Sequence, residues 1–380
     1  MATGSAPGEA VTWAAVEAAA LGAGLDLVGA ATPEPFDDAR QVLEERGAAG
    51  LAGSMRFTYK DPARSTDPAR TLPGVRTLVV GAAGYHRDPP PVADGQGPVA
   101  RVARYVWADD QARLLAGLGA VVDLLVAARH RACVVADQNH LVDRPAAHRA
   151  GLGWFGKNAN LLVPGRGSWF LLGTVLTDAA IEGAPVGAGP VADGCGTCDR
   201  CIGACPTGAI VAPGVVDARR CLSWVLQAPG SLAEEHRAAI GDRIYGCDEC
   251  QEVCPPNRRE VLRAAPGGRG TPVPLGRPER AWVPVLDLLE ASDEDLLERH
   301  GAWYIAERDP RYLRRNALVV LGNVGDGRDP RVRAALARAI HGAPGAPADP
   351  LLAEHARWSA RRLGCDDLAV APHPPGEDER

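Results

Sequence analysis

Residues 195–206 read CGTCDRCIGACP, and residues 247–255 read CDECQEVCP. The first run is C-x2-C-x2-C-x3-C-P. In that spacing three thiolates on one tight loop converge on a [4Fe-4S] cubane, and the fourth, carried by the following helix, turns to a neighbouring cluster. The second run repeats the C-x2-C-x3-C-P part and lacks one upstream ligand, which Cys221 can supply. The assignment closes with Cys195, Cys198, Cys201 and Cys254 on one cluster and Cys205, Cys221, Cys247 and Cys250 on the other. Zinc sites of four cysteines usually show C-x2-C pairs separated by longer loops and need no triple run with trailing prolines. Two clusters at this spacing imply one-electron transfer. An electron carrier and an enzyme feeding a second cofactor both stay open on this evidence.

Working outward, Cys133 and Cys365 stand apart from this block. A chain of 380 residues suggests two or three domains at roughly 150 residues each. Its net charge of -6 excludes a protein that coats nucleic acid generally and leaves room for a regional basic face. The start carries no basic segment followed by an apolar run, and no apolar run reaches about eighteen residues, so a cytoplasmic protein with no membrane contact is expected. Upstream of the cysteines, residues 11–30 read as a helix running into a short strand, 76–85 as a strand, and 108–130 as a helix. Residues 132–137 read as a buried strand, followed by a helix starting near Pro145, and 167–178 as a strand pair. Strand and helix alternate, which is the phrasing of an α/β domain. Residues 181–194 are rich in Gly, Pro and Ala and mark a boundary, and 265–284 read as an extended linker. Beyond it come three helical segments, two opened by Asp-Pro, which read equally as a helical repeat or as a plain three-helix appendage.

The densest cluster of chemistry outside the cysteines runs from Asp137 through Asp143 and Arg144 to GLGWFGKN at 151–158, at the end of a strand. Gly151, Gly153 and Gly156 satisfy G-x-G-x-x-G, but they follow a helical stretch instead of a strand. Trp154 and Phe155 also fill positions where backbone must approach a pyrophosphate, so a dinucleotide fingerprint is rejected for a tight apolar turn. Lys157 is one of only two lysines, with Lys60. For a lone Asp at a strand end the plain reading is a turn or helix cap.

The order Asp137, Asp143-Arg144, AGLGWFGKN at 150–158, GSW at 167–169 and then the two cysteine runs resembles the epoxyqueuosine reductase family over about residues 10–262, and more loosely beyond. The chain departs from that family's wording at Gln111, Ala112, Trp224 and Pro256. The resemblance implies an α/β corrinoid-binding domain over 1–185 and a ferredoxin-like two-cluster module over 186–264. It further implies HEAT-like helical repeats over 301–368, while the residues themselves suggest a linker over 265–300 and a polar, Pro-rich, disordered tail over 369–380. The implied activity is reduction of an epoxide to an alkene in a tRNA wobble nucleoside, with two [4Fe-4S] clusters, cobalamin, an external donor of the flavodoxin or ferredoxin type, and a monomeric state. By the same resemblance Asp137 is the proton donor, and Arg104, Tyr105, Asp137, Arg144, Lys157, Asn158, Ser168 and Asp248 contact the corrinoid. No D-x-H-x-x-G motif surrounds any histidine, so cobalamin is expected without a histidine ligand. A reductase of a small molecule with the same cofactors, as in reductive dehalogenases, and a dedicated electron-transfer protein are the competing classes. Arg311, Arg314 and Arg315, at helical spacing, with Arg331, Arg333 and Arg338 on the next helix, leave two readings open, a face that tracks phosphates or an ordinary solvated surface.

Overall fold

Thr77–Gly84, sequence TLVVGAAG, is the strand on which the first compact unit is assembled: it is apolar almost throughout and buried at all but its last position. A strand of that kind needs cover on both faces. The computed structural model describes residues 8–55, 57, 59–92, 95, 97–187, 189, 191–258, 280–343 and 346–369. Thr77–Gly84 pairs with Leu27–Ala31 on one side and Phe170–Thr177 on the other, and Ala132–Val135 closes the far edge of this four-stranded sheet. Helix and strand are mixed as expected, but every ladder is antiparallel. The chain inserts Phe170–Thr177 between two earlier strands, which periodicity along the sequence cannot register.

Alternate residues of the central strand face opposite ways. Val79 and Ala83 join Leu114, Leu118, Val121 and Leu125 of the Asp110–Ala127 helix, whereas Leu78 and Val80 join Ala146 and Ala147 of the Asp143–Arg149 helix. Gly81 pairs with Gly173 at the middle of the sheet, and a Cβ on either would lie within 3.0 Å of Leu118. The glycine pair therefore sets how closely the long helix can approach. The Asp143–Arg149 helix begins two residues before the expected Pro145, which occupies its third position. Its missing N–H still falls among the first-turn donors that have no helical acceptor. Residues 167–178 form one strand, not a pair.

The first unit is drawn from residues 1–87, 108–221 and 248–275, and the second from 88–107, 222–247 and 276–380. This differs from the expected linear succession. In the second unit Val99–Val102 pairs in parallel with Arg243–Tyr245 and antiparallel with Trp282–Pro284, so three segments remote in sequence share one sheet. Residues expected in a linker form that last strand and the helices Val285–Glu290 and Asp293–His300. The remainder of the expected linker, 265–279, and the tail beyond 369 lie outside the described residues.

Three helices follow, Arg311–Val324, Pro330–His341 and Pro350–Arg362. All three are introduced by Asp-Pro: Asp309, Asp329 and Asp349 accept the backbone N–H two residues on at 2.9, 2.8 and 2.9 Å. Such carboxylates satisfy donors that a helix start leaves open. Of the arginines considered for a phosphate-tracking face, Arg315 is withdrawn from solvent and the others each meet a carboxylate. Arg315 is fully buried, its guanidinium donating to the carbonyls of Leu226, Ala228 and Gly230. Arg311 pairs with Asp309 and Asp349, Arg314 with Asp293, Arg331 with Asp329, Arg333 with Asp367 and Arg338 with Glu290. Helical spacing put these arginines on one stripe without revealing that carboxylates and carbonyls from other segments meet them. Among the described residues no helix is long and apolar enough to cross a membrane.

Candidate active site and cysteine module

Asp137 lies just past the end of Ala132–Val135, with φ of 53°, in the left-handed region that Asp tolerates better than most residues. The kink turns the chain off the edge strand and leaves Asp137 exposed, while partial burial of its carboxyl raises its pKa. Six residues on, Asp143 opens its helix with Oδ1 closed off from solvent and without a hydrogen-bond partner. Burial first, and then the charge of Asp137, push its pKa up to about 7 against the opposing pull of Arg144. Asp143 entered the sequence reading as part of the motif and not as a site residue. Two acids six apart across an apolar turn are the signal that could have found it.

Several expected corrinoid contacts hold the cysteine loops in this unit. Lys157 Nζ donates to the Gly196 carbonyl at 2.8 Å, inside the first cysteine run, and the buried Asn158 Nδ2 donates to the Cys250 carbonyl at 3.3 Å. Ser168 sits in a buried polar network. Its N–H donates to Asn257 Oδ1 at 2.7 Å, and its Oγ accepts from Gln251 Nε2 and Asn257 Nδ2, both at 3.0 Å. Gln251 Nε2 also donates to the buried Tyr85 hydroxyl at 3.2 Å. Gly167 is required here: with φ of 72°, a Cβ would fall 1.9 Å from Asn257 Oδ1. Tyr85 packs edge-on against Trp169, and its pKa is raised by burial and then by the charge of Asp248, with Arg144 acting the other way. Asp248 and Arg144 thus lie within electrostatic reach of one phenol. Gln251, Asn257 and Tyr85 went unnoticed in the sequence, as did the buried pair of Arg87 with Asp110, because isolated polar residues carry no spacing signal. Arg104 and Tyr105 belong to the second unit, where the Arg104 guanidinium lies 5.1 Å over Trp107 and the Tyr105 ring 6.0 Å from Tyr245.

Gly153 and Gly156 flank the first strand of a small hairpin, Trp154–Phe155 with Leu161–Leu162. A Gly153 Cβ would fall 2.2 Å from the Leu162 carbonyl oxygen, so this glycine serves close packing and opens no phosphate-binding helix.

Cys195, Cys198 and Cys201 wrap the turn leading into the Arg200–Ala204 helix. The Cys254 thiol is pushed up to about 12 by burial and then by Cys195, Cys201 and Cys198, so these four sulfurs feel one another. Burial and the same neighbours raise Cys201. Two thiols that resist ionising alone, crowded by two further sulfurs, suit a centre that takes all four as thiolates. Among the described residues no three Cys, His, Asp or Glu side chains close on a single metal ion. Trp154 packs with Cys254 and Cys195, and its buried indole N–H has no acceptor. An orphan donor beside sulfur fits a cluster whose sulfur atoms would accept it. Cys205 Sγ accepts the Ala209 N–H at 3.1 Å.

Residues 194–257 match the family model described as a 4Fe-4S double cluster binding domain. The chain is 30% identical over 363 residues to the epoxyqueuosine reductase of Bacillus cereus, covering 92% of this chain and 88% of that one. It is 35% identical over 329 residues to the epoxyqueuosine reductase of Gloeobacter violaceus, covering 83% of this chain and 98% of the other. A solved epoxyqueuosine reductase bound to an epoxyqueuosine-modified tRNA-Tyr stem loop superposes with a TM-score of 0.80 at 29% identity, covering 92% of this chain and 89% of that one.

Proposed function

This chain belongs to the epoxyqueuosine reductase family, and from that premise we propose that it reduces epoxyqueuosine to queuosine at the wobble position of tRNA. The observation that carries the reading is similarity along nearly the whole chain, joined to an aspartate at a strand end in the unit that carries seven of the eight clustered cysteines. We assign Cys195, Cys198, Cys201 and Cys254 to one [4Fe-4S] cluster and Cys205, Cys221, Cys247 and Cys250 to the other, fed one electron at a time by an external flavodoxin- or ferredoxin-type donor. We assign cobalamin to Asp137, Arg144, Lys157, Asn158, Ser168 and Asp248, with Arg104 and Tyr105. When bound without a histidine from this chain, cobalamin supplies a metal centre that can be reduced to a strong nucleophile.

The chain's own residues supply proton and position. Removing the epoxide oxygen as water needs an acid beside the leaving atom, and partial burial shifts the Asp137 carboxyl toward its acid form. Asp137 is the acid in this reading. Lys157 and Asn158 fix the two cysteine loops to the segment that follows it, so the cluster module and the acid are held by one stretch of chain. We read the C-terminal helices as HEAT-like repeats that support the tRNA, and the protein as a cytoplasmic monomer.

Anaerobic reconstitution with iron, sulfide and cobalamin, followed by metal analysis and turnover on epoxyqueuosine-containing tRNA, tests the proposal. The expected result is about eight irons, one cobalt and loss of the epoxide. Asp137→Ala should keep both chromophores and lose turnover. Full activity in that variant would remove Asp137 from its role.

A further inference from the structure

We propose that Asp143 is a second acid of this site, a relay residue that recharges Asp137 within one turnover. The inference rests on the epoxide reduction proposed above, whose balance requires two protons. Both C–O bonds of the epoxide break, the two carbons become an alkene, and the oxygen leaves as water. The reaction thereby consumes two electrons, delivered singly by the external donor through the clusters, and two protons. Asp137 carries one proton. As the first C–O bond opens, Asp137 gives that proton to the oxygen, and its carboxylate then takes the proton of the Asp143 carboxyl through intervening water. As the second C–O bond breaks, Asp137 passes this proton to the same oxygen and water departs. Solvent reloads both acids after product release.

The geometry favours storage at Asp143. Its helix is pressed onto the sheet by Ala146 and Ala147, and Oδ1 is left buried without a partner. A carboxylate in that position loses solvation and gains no hydrogen bond at that oxygen, whereas the acid form avoids most of the cost. The surroundings offer little compensation. The strands Leu27–Ala31, Thr77–Gly84, Leu161–Leu162 and Phe170–Thr177, which pack against the helix, contain no acidic or basic side chain. The charge of Asp137, once it is ionised, adds to this cost, and the exposed Arg144 and the backbone N–H of Asp143 itself offset it only in part. His140 is the one other titratable residue on the intervening turn. Thr71, whose hydroxyl donates to the His140 carbonyl at 2.9 Å, sits on a turn where Arg70 pairs with Asp67. An acid raised to about 7 is partly loaded at neutral pH and can refill a neighbour that has just been emptied.

Asp143→Asn and Asp143→Glu in the reconstituted enzyme test this by two readouts. The first is an infrared titration of carboxylic-acid absorption from about pH 5 to about pH 9, where the wild type should lose a band near pH 7 that Asp143→Asn lacks and Asp143→Glu retains. The second is the pH profile of turnover on epoxyqueuosine tRNA. The wild-type rate should fall as pH rises through about 7. Asp143→Asn should turn over roughly a hundredfold more slowly at neutral pH, with its fall moved to lower pH and its cluster spectrum unchanged, and Asp143→Glu should restore rate and profile. A wild-type rate and pH profile in Asp143→Asn would overturn the relay. A wild type that loads its cofactors yet never consumes the epoxide would overturn the function itself, and the relay with it.

Discussion

Replacing Asn257 with Ala tests how the second cysteine run is held. The Asn257 side chain is buried and makes three hydrogen bonds: Oδ1 accepts the Ser168 N–H at 2.7 Å, and Nδ2 donates to Ser168 Oγ at 3.0 Å and to the Gln251 carbonyl at 2.8 Å. Alanine leaves the Ser168 N–H without a partner. Ser168 Oγ keeps Gln251 Nε2, and the Gln251 carbonyl keeps the Cys254 N–H at 3.2 Å. One buried orphan costs about 1–3 kcal/mol. For a unit of this size that is a fall in Tm on the order of 5 °C. The Asn257 N–H also donates to the Cys254 carbonyl at 2.9 Å, so the damage falls next to a proposed cluster ligand. Thermal unfolding followed by circular dichroism, with iron content measured alongside, should show the lowered Tm and loss of about half the iron. Unfolding within about 1 °C of wild type, with iron retained, would refute the claim that this network anchors the loop.

Arg315→Ala should cost more than about 3 kcal/mol because it strips buried carbonyls of a charged donor, whereas Arg311→Ala, losing only solvent-screened pairs with Asp309 and Asp349, should leave Tm nearly unchanged. Equal effects in thermal unfolding would contradict the burial of Arg315. Trp154→Phe should shift the midpoint potential of one cluster, read by electron paramagnetic resonance during redox titration, with the other unmoved. Unchanged potentials would show that the indole donates to nothing. For Asp143 the folded-state pKa is raised from 3.8 to about 7, so the fold binds a proton that the unfolded chain has released across that window. Its stabilising contribution is complete below 3.8 and is lost as pH rises through about 7. Asp143→Asn should therefore flatten the decline of Tm with pH across that range, and an undiminished slope would refute the assignment.

Local signals and long-range contacts divided the protein between them. Cysteine spacing announced the double-cluster module, because cluster ligation fixes neighbours a few residues apart. Apolar periodicity located Trp13–Gly22, Thr77–Gly84 and Asp110–Ala127, because each buries one face or one run of consecutive residues. The motif order from Asp137 to Ser168 carried the family. Sequence alone could not say that the sheet is antiparallel, that Val99–Val102 lies between strands from far along the chain, or that Arg315 is buried beneath carbonyls of the Leu226–Gly230 turn. Nor could it say that Asn158, Ser168 and Asn257 brace the cysteine loops or that Asp143 lacks a partner. The physical reason is the same in each case. Spacing along the chain encodes which residues share a turn or a face, whereas pairing, burial and the fate of a single polar atom depend on groups brought from tens to hundreds of residues away, and those meet only in the folded chain.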